Sequence, residues 1–209
     1  MNDGIVVVGA GGHAKVILSA AMECGLRISF IIDDDEAKWG KEIFGIKVKG
    51  PISAYKNSNY SAIVAIGDNE TRKKMVDNLI HFEWITIIHP HAYVHKSAII
   101  GKGTVIFAGA VIQPDVIIGT HCIINTGSTV DHDCRIGNFV HVAPGVNIAG
   151  GVTIGEGSFL GIGSKVIIGK RIGEWTVVGA GSVVAQDIPS KVLSLGVPAK
   201  IKKQIKKEL

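Results

Sequence analysis

The sequence contains few aromatic residues, no long apolar run and no recognisable export signal. Aromatics make up 6% of its 209 residues while glycine alone contributes 27, a balance that favours strands and tight turns over a bundle of helices. No segment approaches the roughly 20 consecutive apolar residues of a membrane-spanning helix. The first residues lack the basic region and the apolar length of a signal peptide. These features predict a cytoplasmic protein that does not insert into membranes.

The sequence also contains few cysteines and has a small net charge. The three cysteines, Cys24, Cys122 and Cys134, are odd in number and show no CxxC spacing, which favours reduced thiols over a disulfide framework. The formal net charge is +4, and residues 199–209 alone supply five lysines against Glu208 (5 − 1 = +4), so the rest of the chain is neutral. A neutral body offers no basic face for nucleic acid, and the lysine-rich tail is interpreted as a solvated end.

The first half of the chain alternates strand-like and helix-like segments. Their apolar and glycine patterns predict strands Ile5–Val8, Arg27–Ile32 and Ala62–Ile66, and helices His13–Cys24 and Asn69–His81. Gly25 is a plausible stop for the first helix, and Asp68 or Asn69 can cap the second. This β-α-β order predicts a small Rossmann-like parallel sheet over residues 1–85.

The second half, residues 86–209, has a period of six. Every sixth residue from Ile88 to Val184 is aliphatic, without a break in register. The position four residues later, from Ala98 to Ser182, is small or short except at Lys170. This pattern is typical of the hexapeptide repeat of a parallel β-helix, in which stacked short strands bury a continuous core. Cys122 and Cys134 occupy the inward small positions, which indicates a structural role for both.

Taken together, these motifs resemble a known family. The C-terminal run "VVGAGSVVAQDIPSKVLSLGVPAK" is similar to the closing segment of the hexapeptide-repeat acyltransferases, whose β-helix is left-handed and normally trimeric. With "VVGAGGHAKV", "DDD" and "VAIGDNETRKKM" before it, the chain resembles bacterial sugar acyltransferases that carry a nucleotide-sugar domain. The resemblance is strongest to N-acetyltransferases of UDP-linked 4-amino-4,6-dideoxy sugars. The sialic acid O-acetyltransferases are a close alternative.

The resemblance implies roles for residues in "TVDHDCRIGNFVHVAPG", residues 129–145. His132 aligns with the catalytic base, Asp133 with the carboxylate that orients it, and His141 with a histidine that contacts acetyl-CoA. The chemistry is suitable, because histidine accepts a proton near neutral pH and an adjacent carboxylate favours the imidazolium. The alternative is that these are polar residues of an exposed face. A zinc site is disfavoured, since His121, His132 and His141 are 11 and 9 residues apart, so no metal is expected.

The spacing of the two histidines also predicts an assembly. Three six-residue sides make one coil, so nine residues correspond to one and a half sides, or on the order of 15 Å at roughly 3.3 Å per residue. His132 and His141 of one chain would not converge on one thioester, whereas those of two neighbouring chains could. We therefore predict a homotrimer with active sites between subunits.

The remaining positions are carried over from the family. Substrate contacts are implied for Gly11, Gly12, His13, Asp33, Asp34, Gly67 and Asn125, the last near the acceptor amine. Contacts to acetyl-CoA as co-substrate are implied for Gly150, Ile162, Ala180 and Lys200, with the N–H of Gly150 facing the thioester carbonyl. Each of these has an ordinary structural interpretation as repeat, turn or solvated tail.

The glycine turn "GAGGHA", residues 9–14, leaves alternatives open. With the acidic residues Asp33–Asp35 about twenty positions later, it fits the dinucleotide-binding fingerprint. An NAD-dependent oxidoreductase is therefore one interpretation. Physically, the motif requires only an anion at a helix N-terminus, which the diphosphate of a UDP-sugar also supplies. The sheet is too short for a second nucleotide-binding half, which favours the nucleotide sugar. A non-catalytic nucleotide-sugar sensor also remains open.

Overall fold

The computed structural model describes residues 4–205, which form two compact units that divide between Pro90 and His91. The sequence-based boundary, after residue 85, lies five residues earlier. Lys206, Lys207 and Glu208, part of the lysine-rich tail discussed above, lie outside the described residues. No helix in the described range is long and apolar enough to cross a membrane.

The first unit is built on a six-stranded sheet with a helix after each of two of its strands. Its strands are β1 (Ile5–Val8), β2 (Ile28–Ile32), β3 (Glu42–Ile43), β4 (Ile46–Lys49), β5 (Ser61–Val64) and β6 (Glu83–Trp84), in the order β3-β4-β2-β1-β5-β6. Helix α1 spans Gly12–Glu23 and α2 spans Asn69–Asn78, with 3-10 turns at Glu36–Lys38 and Ile52–Ala54 and a short strand β7 at Ile87–Ile88.

Strand β1 lies at the centre of this sheet, parallel to β2 and β5. Val8 pairs with both Ile32 and Val64, so the three strands end at the same edge. The loops that carry Gly9, Asp33 and Gly67 follow those three ends. A parallel sheet binds ligands at this edge, because helix N-termini and loop residues converge there.

The predicted elements of this unit are confirmed apart from their ends. Gly25 adopts φ +70 just after α1, as its stop role requires, and Asp68 is the N-cap of α2. The β3–β4 hairpin was not predicted, because its short strands carry too few residues to establish a period.

The second unit is a parallel β-helix, as predicted. Two-residue strands recur every six positions and form three stacked faces. Face 1 contains β8 (Tyr93–Val94), β11 (Val111–Ile112), β14 (Thr129–Val130), β17 (Asn147–Ile148), β20 (Lys165–Val166) and β23 (Val183–Val184). Face 2 contains β9 (Ile99–Ile100), β12 (Ile117–Ile118), β15 (Arg135–Ile136), β18 (Thr153–Ile154) and β21 (Arg171–Ile172). Face 3 contains β10 (Val105–Ile106), β13 (Ile123–Ile124), β16 (His141–Val142), β19 (Phe159–Leu160), β22 (Val177–Val178), β24 (Val192–Leu195) and β25 (Lys200–Gln204).

The second residue of each short strand forms the core of this unit. From Ile106 to Val184 these aliphatic side chains are buried, and the small residues between them, Cys122 and Cys134 included, are buried with them. Each residue of one coil pairs with the residue 18 positions later, as Thr129 does with Asn147. The coil repeat of 18 residues therefore determines which side chains lie one above another.

Candidate active site

A cavity of about 380 Å³ lies at the carboxyl edge of the first unit's sheet. Its lining includes six of the predicted substrate residues, Gly11, Gly12, His13, Asp33, Asp34 and Gly67. Lys38, Thr71 and Met75 complete it among others. The structure thus brings together the six predicted substrate residues of this unit.

The start of helix α1 is open toward this cavity. Gly11 is the N-cap and supplies no side-chain cap, and a Cβ added at Gly11 or Gly12 would meet nothing within 4 Å. The uncapped N–H groups of a helix N-terminus, with the positive end of the helix dipole, favour an anion. This corner of the cavity can therefore hold a phosphate group.

Asp33 holds the glycine turn in place. Its carboxylate accepts hydrogen bonds from the N–H of Ala10 at 2.6 Å and of Asp35 at 2.9 Å, and pairs with Lys38 at 3.3 Å. Burial acts to raise the pKa of Asp33, but the two backbone N–H donors and Lys38 outweigh it and lower that pKa. Asp34 accepts the N–H of Ile52 at 2.8 Å through Oδ1. The carboxylates of Asp33 and Asp34 therefore shape the cavity, in addition to lining it.

His13 is a neutral group in this cavity. Desolvation by burial, and then the nearby charge of Arg72, lower its pKa from 6.5 to about 4. At neutral pH its imidazole therefore offers hydrogen bonds without adding positive charge.

Arg72 organises the opposite wall of the cavity. This side chain is 1% exposed and donates to the carbonyls of Ile66 and Gly67 at 3.1 Å each and to Asn69 Oδ1 at 2.8 Å. The loop that carries Gly67 is thereby fixed. Sequence reasoning missed both Arg72 and Lys38, although "NETR" places Arg72 in the first turn of α2 and Lys38 follows the acidic cluster by three residues.

In the second unit, His132 and Asp133 occupy the corner between faces 1 and 2. His132 Nδ1 lies 2.7 Å from Asp133 Oδ2, and the N–H of His132 donates to Asp131 Oδ1 at 2.8 Å. The hydrogen bond to Asp133, followed by the charge of Asp131, raises the pKa of His132 above 6.5. The side chain of His132 is 55% exposed, so the corner presents an oriented imidazole to solvent with Nε2 available for proton transfer.

A second cavity, of about 630 Å³, lies on face 1 beside this corner. Polar residues Gln113, Thr129, Asp131, Asn147 and Lys165 line it together with apolar ones, Val111, Ile148, Ala149, Val166, Ile167 and Ile168. Ile168 is 67% exposed and contributes apolar surface to this cavity. Such a mixed lining suits a long ligand with amide groups and methylenes.

The three predicted backbone contacts occupy equivalent positions in the six-residue repeat. Gly150, Ile162 and Ala180 each precede a glycine with φ between +65 and +67, at corners of the coil. Within residues 4–205, no group accepts a hydrogen bond from their N–H groups. Ile162 and Ala180 lie one coil apart at the corner between faces 3 and 1, whereas Gly150 lies at the His132 corner. All three N–H groups can donate to a ligand.

His141 lies on face 3, in β16, away from the corner that carries His132. Its Nε2 is 3.2 Å from Asn125 Nδ2, and its ring packs edge-on against Phe159 with centroids 5.1 Å apart. Asn125 is thus brought to His141 and not to His132 of the same chain. Sequence reasoning placed Asn125 near the acceptor amine without foreseeing this contact.

The last predicted site residue, Lys200, begins the edge strand β25, all of whose residues are exposed. It lies in a basic strand with Lys202 and Lys203. Residues 4–205 contain no cluster of three or more histidine, cysteine or acidic side chains that could hold a metal ion.

Comparison with known proteins agrees with both units. Residues 4–79 match the family model described as PglD N-terminal domain, and residues 97–132 match the model of the bacterial transferase hexapeptide (six repeats). A curated relative from Acanthamoeba polyphaga mimivirus, an uncharacterised protein, is 32% identical over 91 residues, but the match spans 43% of this chain and only 18% of that relative.

Several solved structures match nearly the whole chain. PerB from Caulobacter crescentus, solved in complex with CoA and GDP-perosamine, is 43% identical, with a TM-score of 0.90 over 97% of this chain and 99% of that one. The acetyltransferase domain of PglB from Neisseria gonorrhoeae is 36% identical, with a TM-score of 0.91 over 96% and 100%. WeeI from Acinetobacter baumannii is 25% identical, with a TM-score of 0.85 over 95% and 99%. The solenoid of this chain accordingly matches the left-handed β-helix of such acetyltransferases.

Proposed function

Since this chain belongs to the hexapeptide-repeat sugar acyltransferases with an N-terminal nucleotide-sugar domain, we propose that it transfers an acetyl group from acetyl-CoA to a sugar amine. The acceptor is the 4-amino group of a nucleotide-linked 4-amino-4,6-dideoxy sugar. The observation that carries this proposal is the oriented His132–Asp133 pair, 2.7 Å apart, beside a cavity on the β-helix.

The first unit binds the nucleotide sugar. Its diphosphate lies at the open start of α1, where Gly11 and Gly12 leave space and the N–H groups face an anion. Neutral His13 donates a hydrogen bond to the ligand, and Lys38 adds the cation that balances part of its charge. Asp34 and Gly67 border the same cavity and complete the contacts.

His132 acts as the general base. The amine nitrogen attacks the thioester carbonyl directly and forms a tetrahedral intermediate, and the proton that the nitrogen releases goes to His132 Nε2. Collapse of the intermediate breaks the carbon–sulfur bond and expels the CoA thiolate, which the imidazolium can reprotonate. Asp133 holds the ring and stabilises the imidazolium, and the N–H of Gly150 donates to the developing oxyanion.

Acetyl-CoA lies along the β-helix. The free N–H groups of Ile162 and Ala180 donate to carbonyls of its pantetheine arm, and Lys200 meets a phosphate. His141, held by Asn125, contacts the acyl donor. No covalent acyl-enzyme is needed, since Cys122 and Cys134 are buried in the core of the coil.

The nucleotide carrier has two candidates. The sequence resemblance favours UDP, while the similar PerB structure, which holds GDP-perosamine, favours GDP. Release of free CoA with UDP-4-amino, GDP-4-amino and sialic acid acceptors, compared side by side, distinguishes them. We expect turnover with one nucleotide-linked amine and none with sialic acid. Turnover with sialic acid alone would establish O-acetylation and contradict the proposed reaction.

The functional unit is a homotrimer with active sites between subunits. His132 and His141 lie on different sides of one coil, so two chains are needed to bring them to one thioester. Light scattering should give the mass of three chains. Co-expressed His132→Ala and His141→Ala chains should regain part of the activity that each lacks alone, since some interfaces then pair the two intact histidines. A fully active monomer would contradict this assembly.

A further inference from the structure

Gly150 lies directly beneath the imidazole of His132. The two residues are 18 positions apart, one full coil, and a Cβ at residue 150 would lie 2.6 Å from His132 Nε2 and 2.7 Å from Cε1. Carbon atoms that are not bonded normally stay about 3.5–4.0 Å apart. No side chain at residue 150 fits while the ring stays in place.

The backbone alone does not require glycine at this position. Gly151 has φ +67, a conformation that favours glycine, whereas Gly150 is not among the residues with positive φ. Alanine could therefore adopt the conformation of residue 150 without strain. The three atoms nearest to an added Cβ all belong to the His132 ring.

Other glycines of the β-helix differ in what surrounds them. At Gly137 and Gly155 an added Cβ would meet backbone atoms of the next coil, so glycine there permits the coils to stack. The rings of His121 and Trp175 also cover glycines, Gly103 and Gly157, but both of those have positive φ. The pairing of a conformationally ordinary glycine with a titratable ring distinguishes residue 150 from these.

We propose that Gly150 is a positioning residue for His132: its missing side chain leaves the space in which the imidazole is seated, with Nδ1 on Asp133 and Nε2 over the coil that carries the N–H of Gly150. The catalytic part of this inference rests on the proposed role of His132 as general base. With the ring in this space, Nε2 of His132, the proposed proton acceptor, is held next to the N–H of Gly150, the proposed donor to the oxyanion. The small size of Gly150 and its N–H are thus two separate contributions to one site.

The substitution Gly150→Ala separates these contributions, because alanine keeps the N–H and adds only a methyl group. The methyl displaces the ring from Asp133, whose hydrogen bond and charge, with the charge of Asp131, raise the pKa of His132. By NMR titration of the ligand-free protein, we expect the pKa of His132 to fall in Gly150→Ala. We expect kcat to fall on the order of a hundredfold, as displacement by about 1 Å can cost, with little change in KM for acetyl-CoA.

A thermal unfolding cycle supplies the control without any assay of activity. Gly150→Ala should lower Tm in the wild-type background but not in the His132→Ala background, where the methyl meets no ring. An equal loss of Tm in both backgrounds, or an unchanged pKa of His132 in Gly150→Ala, would overturn the proposal. Full turnover by His132→Ala would instead refute its role as base, and would leave the result of the cycle intact.

Discussion

Each unit contains a histidine for which we propose a function, and the surroundings of the two histidines are opposite in kind. His13 is buried in a cavity, and desolvation lowers its pKa to about 4. His132 is exposed at a corner, and Asp133 raises its pKa. A buried, neutral imidazole is suited to bind and orient a ligand, whereas an exposed imidazole paired with a carboxylate can take up and release a proton near neutral pH. The different surroundings therefore suit the two histidines to the two different tasks that we propose for them.

The largest expected effect follows from removing the exposed histidine. His132→Ala should lower kcat by about 10²–10⁴-fold, the usual contribution of general acid–base catalysis, while acetyl-CoA and nucleotide still bind. Turnover is measured by CoA release and binding by calorimetry. His95→Ala serves as the control, because it removes a half-buried histidine of the β-helix that lies outside the proposed site. Wild-type turnover by His132→Ala would show that His132 is not the general base, and would contradict the proposed difference between the two histidines.

The buried histidine should appear in the pH dependence of stability. Between its unfolded pKa of 6.5 and its folded pKa of about 4, the unfolded chain binds a proton at His13 that the folded chain does not. The contribution of His13 to the free energy of unfolding is therefore full above pH 6.5. It decreases as the pH falls, by about 3 kcal/mol at pH 4. Denaturant unfolding at pH 7 and pH 4 should show that loss in the wild type and a smaller one in His13→Gln. Equal losses in both would contradict burial as the cause.

The carboxylate beside His132 should control the pH profile of the reaction. Because Asp133 raises the pKa of His132, Asp133→Asn should move the acidic limb of kcat/KM to lower pH. Its maximum should fall about tenfold, since the ring loses an orienting partner and the imidazolium loses its stabilising charge. Asp131→Asn removes a charge that raises the pKa of His132 less than the hydrogen bond to Asp133 does, so it should shift the acidic limb of kcat/KM less. A larger shift in Asp131→Asn than in Asp133→Asn would reverse the assigned order.

The smallest expected effect tests the anion site of the first unit. Gly11→Asp supplies the missing cap of α1 and should stabilise the protein by a few tenths of a kcal/mol, but its charge faces the bound diphosphate. We expect nucleotide affinity to fall about fivefold, roughly 1 kcal/mol, relative to Gly11→Asn, a neutral cap of the same shape. Equal affinities in the two variants would show that no anion binds at this helix start.

The sequence alone was sufficient for the β-helix and for the central strands and helices of the first unit, because these elements carry clear apolar periods. Six-residue spacing from Ile88 to Val184 identified the strands of the β-helix. Helix start signals limited the cap of α2 to Asp68 or Asn69, and the structure shows that it is Asp68. The same spacing places residue 150 beneath His132, because the two residues are 18 positions, one full coil, apart. Sequence reasoning did not draw that consequence.

Other features depend on contacts between residues that no local pattern links. The contact of Asn125 with His141 joins residues 16 positions apart and arises only when successive coils stack. The β3–β4 hairpin and the hydrogen bonds of Arg72 to the loop of Gly67 are local in sequence, but no apolar period or cap signal predicts them. The pKa of His13 also depends on packing, because burial is a property of all the surrounding chain. Residue order determined which groups are present and how the backbone repeats. Tertiary structure decided which groups are desolvated and which face one another, because both depend on distances that local sequence does not encode.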